Sequence, residues 1–408
     1  MMSIDEARAA FSRSCHVSTF HGGIHAVTFQ PTPDRETEDR YVVEEWEDVD
    51  QGPSWLFLAV LDGHAGSEAA EYSEKYLPTF LRNALRSKLA SSGTRYDPAE
   101  VSAFLRSQIE EFDRQIGAAV IDLCPDPHEL DHNSASSLLN GSDSHILRRA
   151  SSGTTLSIAL VDGRKENLWI VGLGDSSVVL FTNEKGSALT ARRLTPLHNT
   201  STPSEYARVK LSHPTSERNV LKDQRILGVL SITRAIGDFS YKLPATYSVN
   251  LFSKLRSEHG DPLVPNISKD NLSPPYIIAT SDVRHIDLTT VRDKEPILLL
   301  YTDGVDNIIE GRFLFRKENP SKTDPAAVLG ALLSDPIDKT FLEGVFEHEV
   351  ESKWNEDGNR AVEILGNMLG GRDAVRMEQI MTPALLSTTG ESDLYIDDTT
   401  IIFCPLTL

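Results

Sequence analysis

Residues 56–66 read LFLAVLDGHAG. Six apolar residues in succession, with no polar alternation, describe a strand covered on both faces. Asp62 ends the run, Gly63 and Gly66 break it, and 67–76 takes up a helical pattern. The same grammar recurs three times. ILLLYTDGVDN (297–307) sets Asp303 and Gly304 after an apolar run, and LWIVGLGDSSVVLF (168–181) sets Asp175 between two β-like runs. DLYIDDTTIIF (393–403) sets Asp397 and Asp398 just before a last strand. A single Asp-Gly is most often a turn. Four aspartates at the ends of core strands are a different matter, because a carboxylate there needs a partner or a cation. Hard cations such as Mg²⁺ and Mn²⁺ take carboxylate oxygens and water, and a strand end fixes such a ligand well.

Outward from these strands, residues 27–29 and 41–43 are β-prone and flank the acidic segment PTPDRETEDR. Asp97, Pro98 and Glu100 start a helix whose apolar residues recur at helical spacing to Leu123. HNSASSLLNGSDSH (132–145) reads as an exposed loop. Strand-like runs at 154–161, 168–171 and 178–181 follow, the first two joined by a turn at Asp162-Gly163. Residues 198–224 are polar with short helical patches, and 247–275 read as a connecting excursion. Strands resume at 276–279 and 297–301. Helical patterns occupy 325–333, 341–354 and 359–369, and 399–403 is a closing strand. The pattern predicts an α+β fold: one domain over 22–408, with loop insertions near 125–150 and 198–275. Residues 1–21 are expected as an N-terminal extension.

The composition narrows the function. Acids outnumber Lys and Arg by 60 to 40 in 408 residues, for a formal charge of −20. Such a field repels a phosphate backbone, which excludes generic nucleic-acid binding. No apolar run nears the ~20 residues of a membrane span. Three scattered cysteines, Cys15, Cys124 and Cys404, fit a reducing, intracellular compartment. Arg8 and Arg13 near the start are basic, but Asp5 and Glu6 beside them speak against a mitochondrial presequence. Cytoplasm and mitochondria both remain open.

Seven blocks, in order, carry a resemblance. They are TEDR (37–40), VLDGHAG (60–66), SSGTTLSIAL (151–160), GLGDSSVVL (172–180), RILGVLSITRAIGDFSYK (225–242), LLYTDGVDN (299–307) and DDTTII (397–402). Together the chain resembles the PPM family of metal-dependent serine/threonine protein phosphatases, the protein phosphatase 2C group. The resemblance implies a central antiparallel β-sandwich flanked by helices on both sides, with two Mg²⁺ or Mn²⁺ ions at one end. By the same resemblance Glu38, Asp62 and the Gly63 carbonyl hold one cation, and Asp62, Asp303 and Asp397 the other. Asp175 with Asp303 would take a third, weaker one, and Asp39 would orient waters. Such a pair of cations lowers the pKa of a water that attacks phosphorus. His64 is then the candidate general acid for the seryl or threonyl leaving group.

Departures from the family pattern concern phosphate binding. Asp34 stands where many members carry an Arg, so Arg35 or Arg40 is expected to bind the phosphate. The common GDSR is GDSS here, with Ser177 in place of Arg, and the usual Asp-Asn is Asp397-Asp398. The EDR, DGHAG, VKLSHPTSE (209–217), RILGVL and SPPYI (273–277) stretches look like the pyruvate dehydrogenase phosphatase branch. Residues 198–224 correspond to the family's flap. Phosphoprotein substrates, and room for a regulatory subunit, are the implied partners. Two rival readings are a catalytically impaired family member acting as a binding scaffold, and a haloacid-dehalogenase-like enzyme with Asp303 as nucleophile. The first would require lost ligands. The second normally requires an Asp where Val305 stands.

Overall fold

The computed structural model describes residues 3–32, 35–90, 96–183, 189–256, 262–355, 357–386 and 394–406. Two antiparallel sheets stack face to face. One has six strands in the order Cys15–Thr19, His25–Phe29, Thr399–Pro405, Ile297–Tyr301, Ser177–Thr182, Thr190–Arg193. The other has five, in the order Asp282–Asp287, Asn167–Leu173, Leu156–Val161, Trp55–Leu61, Arg40–Trp46.

Side-chain alternation explains why the central strands are apolar throughout. Leu58 and Val60 face the second sheet, where they meet Ala26, Leu298, Leu300 and Ile402. Phe57, Ala59 and Leu61 face outward onto Leu77, Leu81, Ile109 and Phe112 of the helices Glu68–Ala90 and Pro98–Leu123. In the six-stranded sheet Leu299 and Tyr301 likewise turn away from the sandwich, toward the helices Pro325–Leu333 and Arg360–Leu369. The central strands are therefore dry on both faces, while the edge strands keep exposed residues. At about 25 cal/mol per Å² of apolar surface, each fully buried Leu contributes roughly 1.5–3 kcal/mol.

The helix Pro98–Leu123 starts as its sequence predicts, with Asp97 accepting from the Ala99 N–H. Other expectations are corrected. The described part of the N-terminal extension packs onto the sandwich. The helix Ile4–Arg13 buries Ala7 and Phe11, Phe11 packs edge-on against Trp354, and Cys15–Thr19 is an edge strand of the six-stranded sheet. The Ser- and Asn-rich stretch expected as a loop holds the helices His132–Asn140 and Ser144–Ser151, begun by Asp131 and Asp143. No ladder forms at 276–279, where only Ile278 bridges to Arg234; the strand is Asp282–Asp287. The helix expected over 341–354 is Lys339–Phe346, ended by Glu347 in the left-handed region.

Most of the insertion near 198–275 builds a small body of its own. Val209, Val220, Ile226, Leu227, Ile232, Ala235, Tyr241, Ile267, Tyr276 and Ile277 form its core. The polar surface pattern hid those scattered apolar residues, whose contacts span more than fifty positions.

Candidate metal centre

Strand register gathers the acids at one end of the sandwich. Arg40 pairs with Leu61, so Asp39 and Asp62 leave the five-stranded sheet side by side. Tyr301 pairs with both Ile401 and Ser177, which brings Asp303, Asp397 and Asp175 to the matching end of the other sheet. One oxygen each from Asp62, Asp175 and Asp303 lies within 4.8 Å of the others. Among the described residues no ion pair reaches any of these three.

Two glycines make the convergence sterically possible. A Cβ on Gly63 would fall 2.4 Å from the Glu38 carbonyl oxygen, so the bare residue lets the 35–39 loop close over the strand end. Gly174 holds φ +99, and a Cβ there would strike Thr155 at 2.5 Å. The turn it makes aims Asp175 inward. Sequence reading gave Gly63 the task of admitting a cation; close packing on Glu38 is what the backbone shows.

Crowded acids resist ionisation. Burial, and then the neighbouring Asp303, Asp39, Asp397 and Asp175, push the Asp62 carboxyl well above its ordinary value. Burial and Asp175 do the same to Asp303. Burial raises Asp175 to about 6 against a hydrogen bond from Asn199. Asp397 is raised by burial and by Asp398, while accepting from the Tyr395 hydroxyl at 3.0 Å. Asp39 is 2% exposed, with Oδ2 taken by the Thr302 hydroxyl at 2.8 Å and Oδ1 without a protein partner. Such a set suits hard divalent cations, which remove the mutual repulsion and supply the missing positive charge.

Glu38 and Asp397, expected as ligands, stand outside the tight triad. Glu38 Oε1 accepts from the Gly66 N–H at 2.9 Å, and its own N–H donates to Asp398 Oδ2 at 2.6 Å. Asp398 thereby pins the loop bearing Glu38. The two arginines part company. Arg40 is held in the scaffold, pairing with Glu71 at 2.5 Å and donating to the Thr37 and Asp39 carbonyls. Arg35 lies at the mouth, 4.0 Å from Glu38 and 3.9 Å from Asp398. The neighbouring Asp34 lies outside the described residues.

His64 pairs through Nε2 with Asp238 Oδ2 at 2.8 Å. Burial disfavours the charged ring, but Asp238 outweighs it and holds the His64 pKa above its usual value. Asp238 is 1% exposed, has φ 54, and follows Gly237, whose N–H donates to the buried Asp113. Lys242 donates to both Asp113 oxygens at 2.8 Å. Sequence reading missed Asp238, although it ends the RAIGD run of a matched block. Arg193 is a second omission: its guanidinium reaches Ser177 Oγ at 2.9 Å, the position where the family's GDSR carries an arginine.

Two stacked antiparallel sheets with aspartates gathered at one end make a scaffold on which a divalent cation could be held. Residues 32–312 match the protein phosphatase 2C family, and the chain belongs to it. It is 30% identical over 278 residues to the mitochondrial pyruvate dehydrogenase (acetyl-transferring) phosphatase 1 of Homo sapiens, an alignment covering 63% of this chain and 48% of that protein. The chain thus spans about half the length of these curated relatives. A protein phosphatase 2C homolog of Schizosaccharomyces pombe is 25% identical over 377 residues, covering 89% of this chain and 76% of the other. A serine-threonine phosphatase 2C structure from Toxoplasma gondii aligns over 95% of this chain and 96% of its own, at TM-score 0.49 and 13% identity. Among the described residues no helix is long and apolar enough to cross a membrane.

Proposed function

We propose that this chain hydrolyses phosphoserine and phosphothreonine in proteins, with Mg²⁺ or Mn²⁺ at the aspartate cluster. One observation carries the reading: Asp62, Asp175 and Asp303, from three distant segments, bring oxygens within 4.8 Å, and among the described residues no cationic side chain pairs with them. Divalent cations there would acidify a water and offset charge on the phosphoryl oxygens. Asp62, Asp303 and Asp397, with Glu38 and the Gly63 carbonyl, would hold two such ions, and Asp175 with Asp303 would hold a third. Arg35, at the mouth, orients the phosphate, while Arg40 supports the loop. Asp39, with an unpartnered oxygen, orients water. His64 supplies the proton that the alkoxide leaving group needs, and Asp238 fixes its ring.

Purified protein should dephosphorylate a phosphothreonine peptide with Mn²⁺ or Mg²⁺ and stop on chelation; activity that survives chelation would reject the reading. His64→Ala should slow a phosphopeptide more than an aryl phosphate, whose phenolate leaves without a proton. Equal losses would remove the acid assignment. The pyruvate dehydrogenase phosphatases among the relatives make that complex the first protein substrate to assay. They make mitochondria the first compartment to fractionate, and a co-purifying regulatory subunit the first partner to seek.

A further inference from the structure

Two basic residues face each other on a short hairpin, and among the described residues neither forms an ion pair. We infer that the hairpin formed by Leu221–Lys222 and Arg225–Ile226 recognises an acidic side chain near the phosphorylated residue, so that this chain prefers phosphoserine or phosphothreonine in acidic sequence. The inference rests on the phosphatase reading and adds a substrate class to it.

Lys222 and Arg225 are directly opposed across the ladder, and both are exposed. Like charges so placed destabilise a hairpin. Among the described residues neither forms an ion pair, and Asp223 in the turn between them is itself exposed. The Lys222 stem lies along Gly228, where a Cβ would sit 3.3 Å from its Cδ, and the residue is exposed. Arg225 uses Nη1 on the Val229 carbonyl at 2.7 Å, which steadies the guanidinium and leaves further N–H groups to bind a carboxylate.

The backbone beneath is held in an unfavourable shape. Asp223, Gln224 and Leu227 have φ of 52, 58 and 49, three left-handed non-glycine residues within five positions. A two-residue turn of this hand ordinarily uses Asn-Gly. Here it is secured from outside, because the Thr200 hydroxyl donates to the Gln224 carbonyl. Strain kept by such a contact is characteristic of ligand clamps.

That contact also limits the distance to the chemistry. Thr200 adjoins Asn199, whose side chain hydrogen-bonds Asp175 of the triad. His198, next in line, accepts from the Gly174 N–H at 3.2 Å. With Cα atoms 3.8 Å apart, this path keeps the hairpin within about 15 Å of the cluster. An extended peptide advances about 3.3 Å per residue, so the acid recognised lies within about five residues of the phosphorylated one. In a chain of formal charge −20, an acidic substrate needs such a local attractor.

Two phosphothreonine peptides, one with Asp and Glu at those flanking positions and one with Asn and Gln, test the inference beside p-nitrophenyl phosphate. Wild-type protein with Mn²⁺ at low ionic strength should favour the acidic peptide by about three- to tenfold in kcat/KM, chiefly through KM, the scale of two exposed charge contacts. Lys222→Glu/Arg225→Glu should invert that ratio and Lys222→Gln/Arg225→Gln should level it, both with p-nitrophenyl phosphate turnover unchanged. Equal wild-type rates on the two peptides, or a preference that survives charge reversal, overturns the inference while aryl phosphate hydrolysis persists. Failure of wild-type protein to hydrolyse p-nitrophenyl phosphate overturns the phosphatase reading, and this inference with it.

Discussion

Two groups of buried acids lie on either side of residue 198, and the protein treats them in opposite ways. At the root of the flap, Glu205 is 4% exposed and fully answered. Arg234 donates to both its oxygens at 2.6 and 3.0 Å, Arg208 donates at 2.8 Å, and Thr233 adds its hydroxyl at 2.5 Å. Burial alone would raise its pKa, but these partners hold it far below the usual carboxylate range. Arg234 continues to Asp282 at 3.4 Å, and Asp282 to His198 at 2.7 Å. Across His198, the Asp62–Asp175–Asp303 triad has pKa values pushed upward, and among the described residues no cationic side chain pairs with it. The fold evidently can supply arginines to a buried acid. Where it withholds them, the missing charge has to come from solution.

The largest test of this contrast is Asp62→Asn. Phosphopeptide turnover should fall by more than about a hundredfold, beyond the loss typical of removing a ligand's outer partner. In chelator, however, the variant should melt at a higher temperature than wild type, since one repelling charge is gone. A lower melting temperature would show that the triad is not under repulsion. Glu205→Gln should do the reverse: unfolding in urea should show a loss of about 3 kcal/mol, the lower end for breaking a buried pair because Arg208 stays a quarter exposed. Little change would mean that the network is ornamental to stability.

Acidification sharpens the comparison. An acid whose folded pKa is raised binds its proton more tightly when folded, so stability falls as pH rises through that value. Metal-free protein should therefore lose stability between about pH 4 and 7, around the value of about 6 for Asp175, and added Mn²⁺ should flatten or reverse the slope. Glu205, with its pKa lowered, contributes fully above the ordinary carboxylate value and loses its effect only as pH falls toward the folded one. Melting curves across pH, with and without Mn²⁺, would separate the two; identical slopes would contradict them. The smallest effect is expected from Tyr395→Phe, which removes the hydroxyl that Asp397 accepts. Losing one hydrogen bond worth about 1 kcal/mol should raise the Mn²⁺ concentration for half-maximal activity by about fivefold. An unchanged requirement would place Asp397 outside cation binding.

Much of this was legible beforehand where residue type and spacing are themselves the cause. LFLAVL reads as a doubly covered strand because both its faces are covered. Of the four strand-end aspartates, Asp62, Asp175 and Asp303 come together within 4.8 Å, whereas the family resemblance gave Asp175 to a third, weaker cation. The N-terminal helix was missed because two buried side chains, Ala7 and Phe11, are too few to mark a face in ten residues. Asp238 was missed because its partner His64 is 174 positions away.

The chain's own order of residues determined which segments are strands, which acids sit at their ends, and that a cation-dependent chemistry was in prospect. Those properties follow from burial, periodicity and ligand type, each a matter of neighbours in sequence. Only the folded arrangement decided that Arg35 faces the mouth while Arg40 braces Glu71, that Asp238 holds His64, and that Glu205 is neutralised while Asp62 is not. Such pairings join side chains whose separation along the chain carries no signal. Their energies depend on distance and solvent exclusion, and both exist only after the sheets have closed.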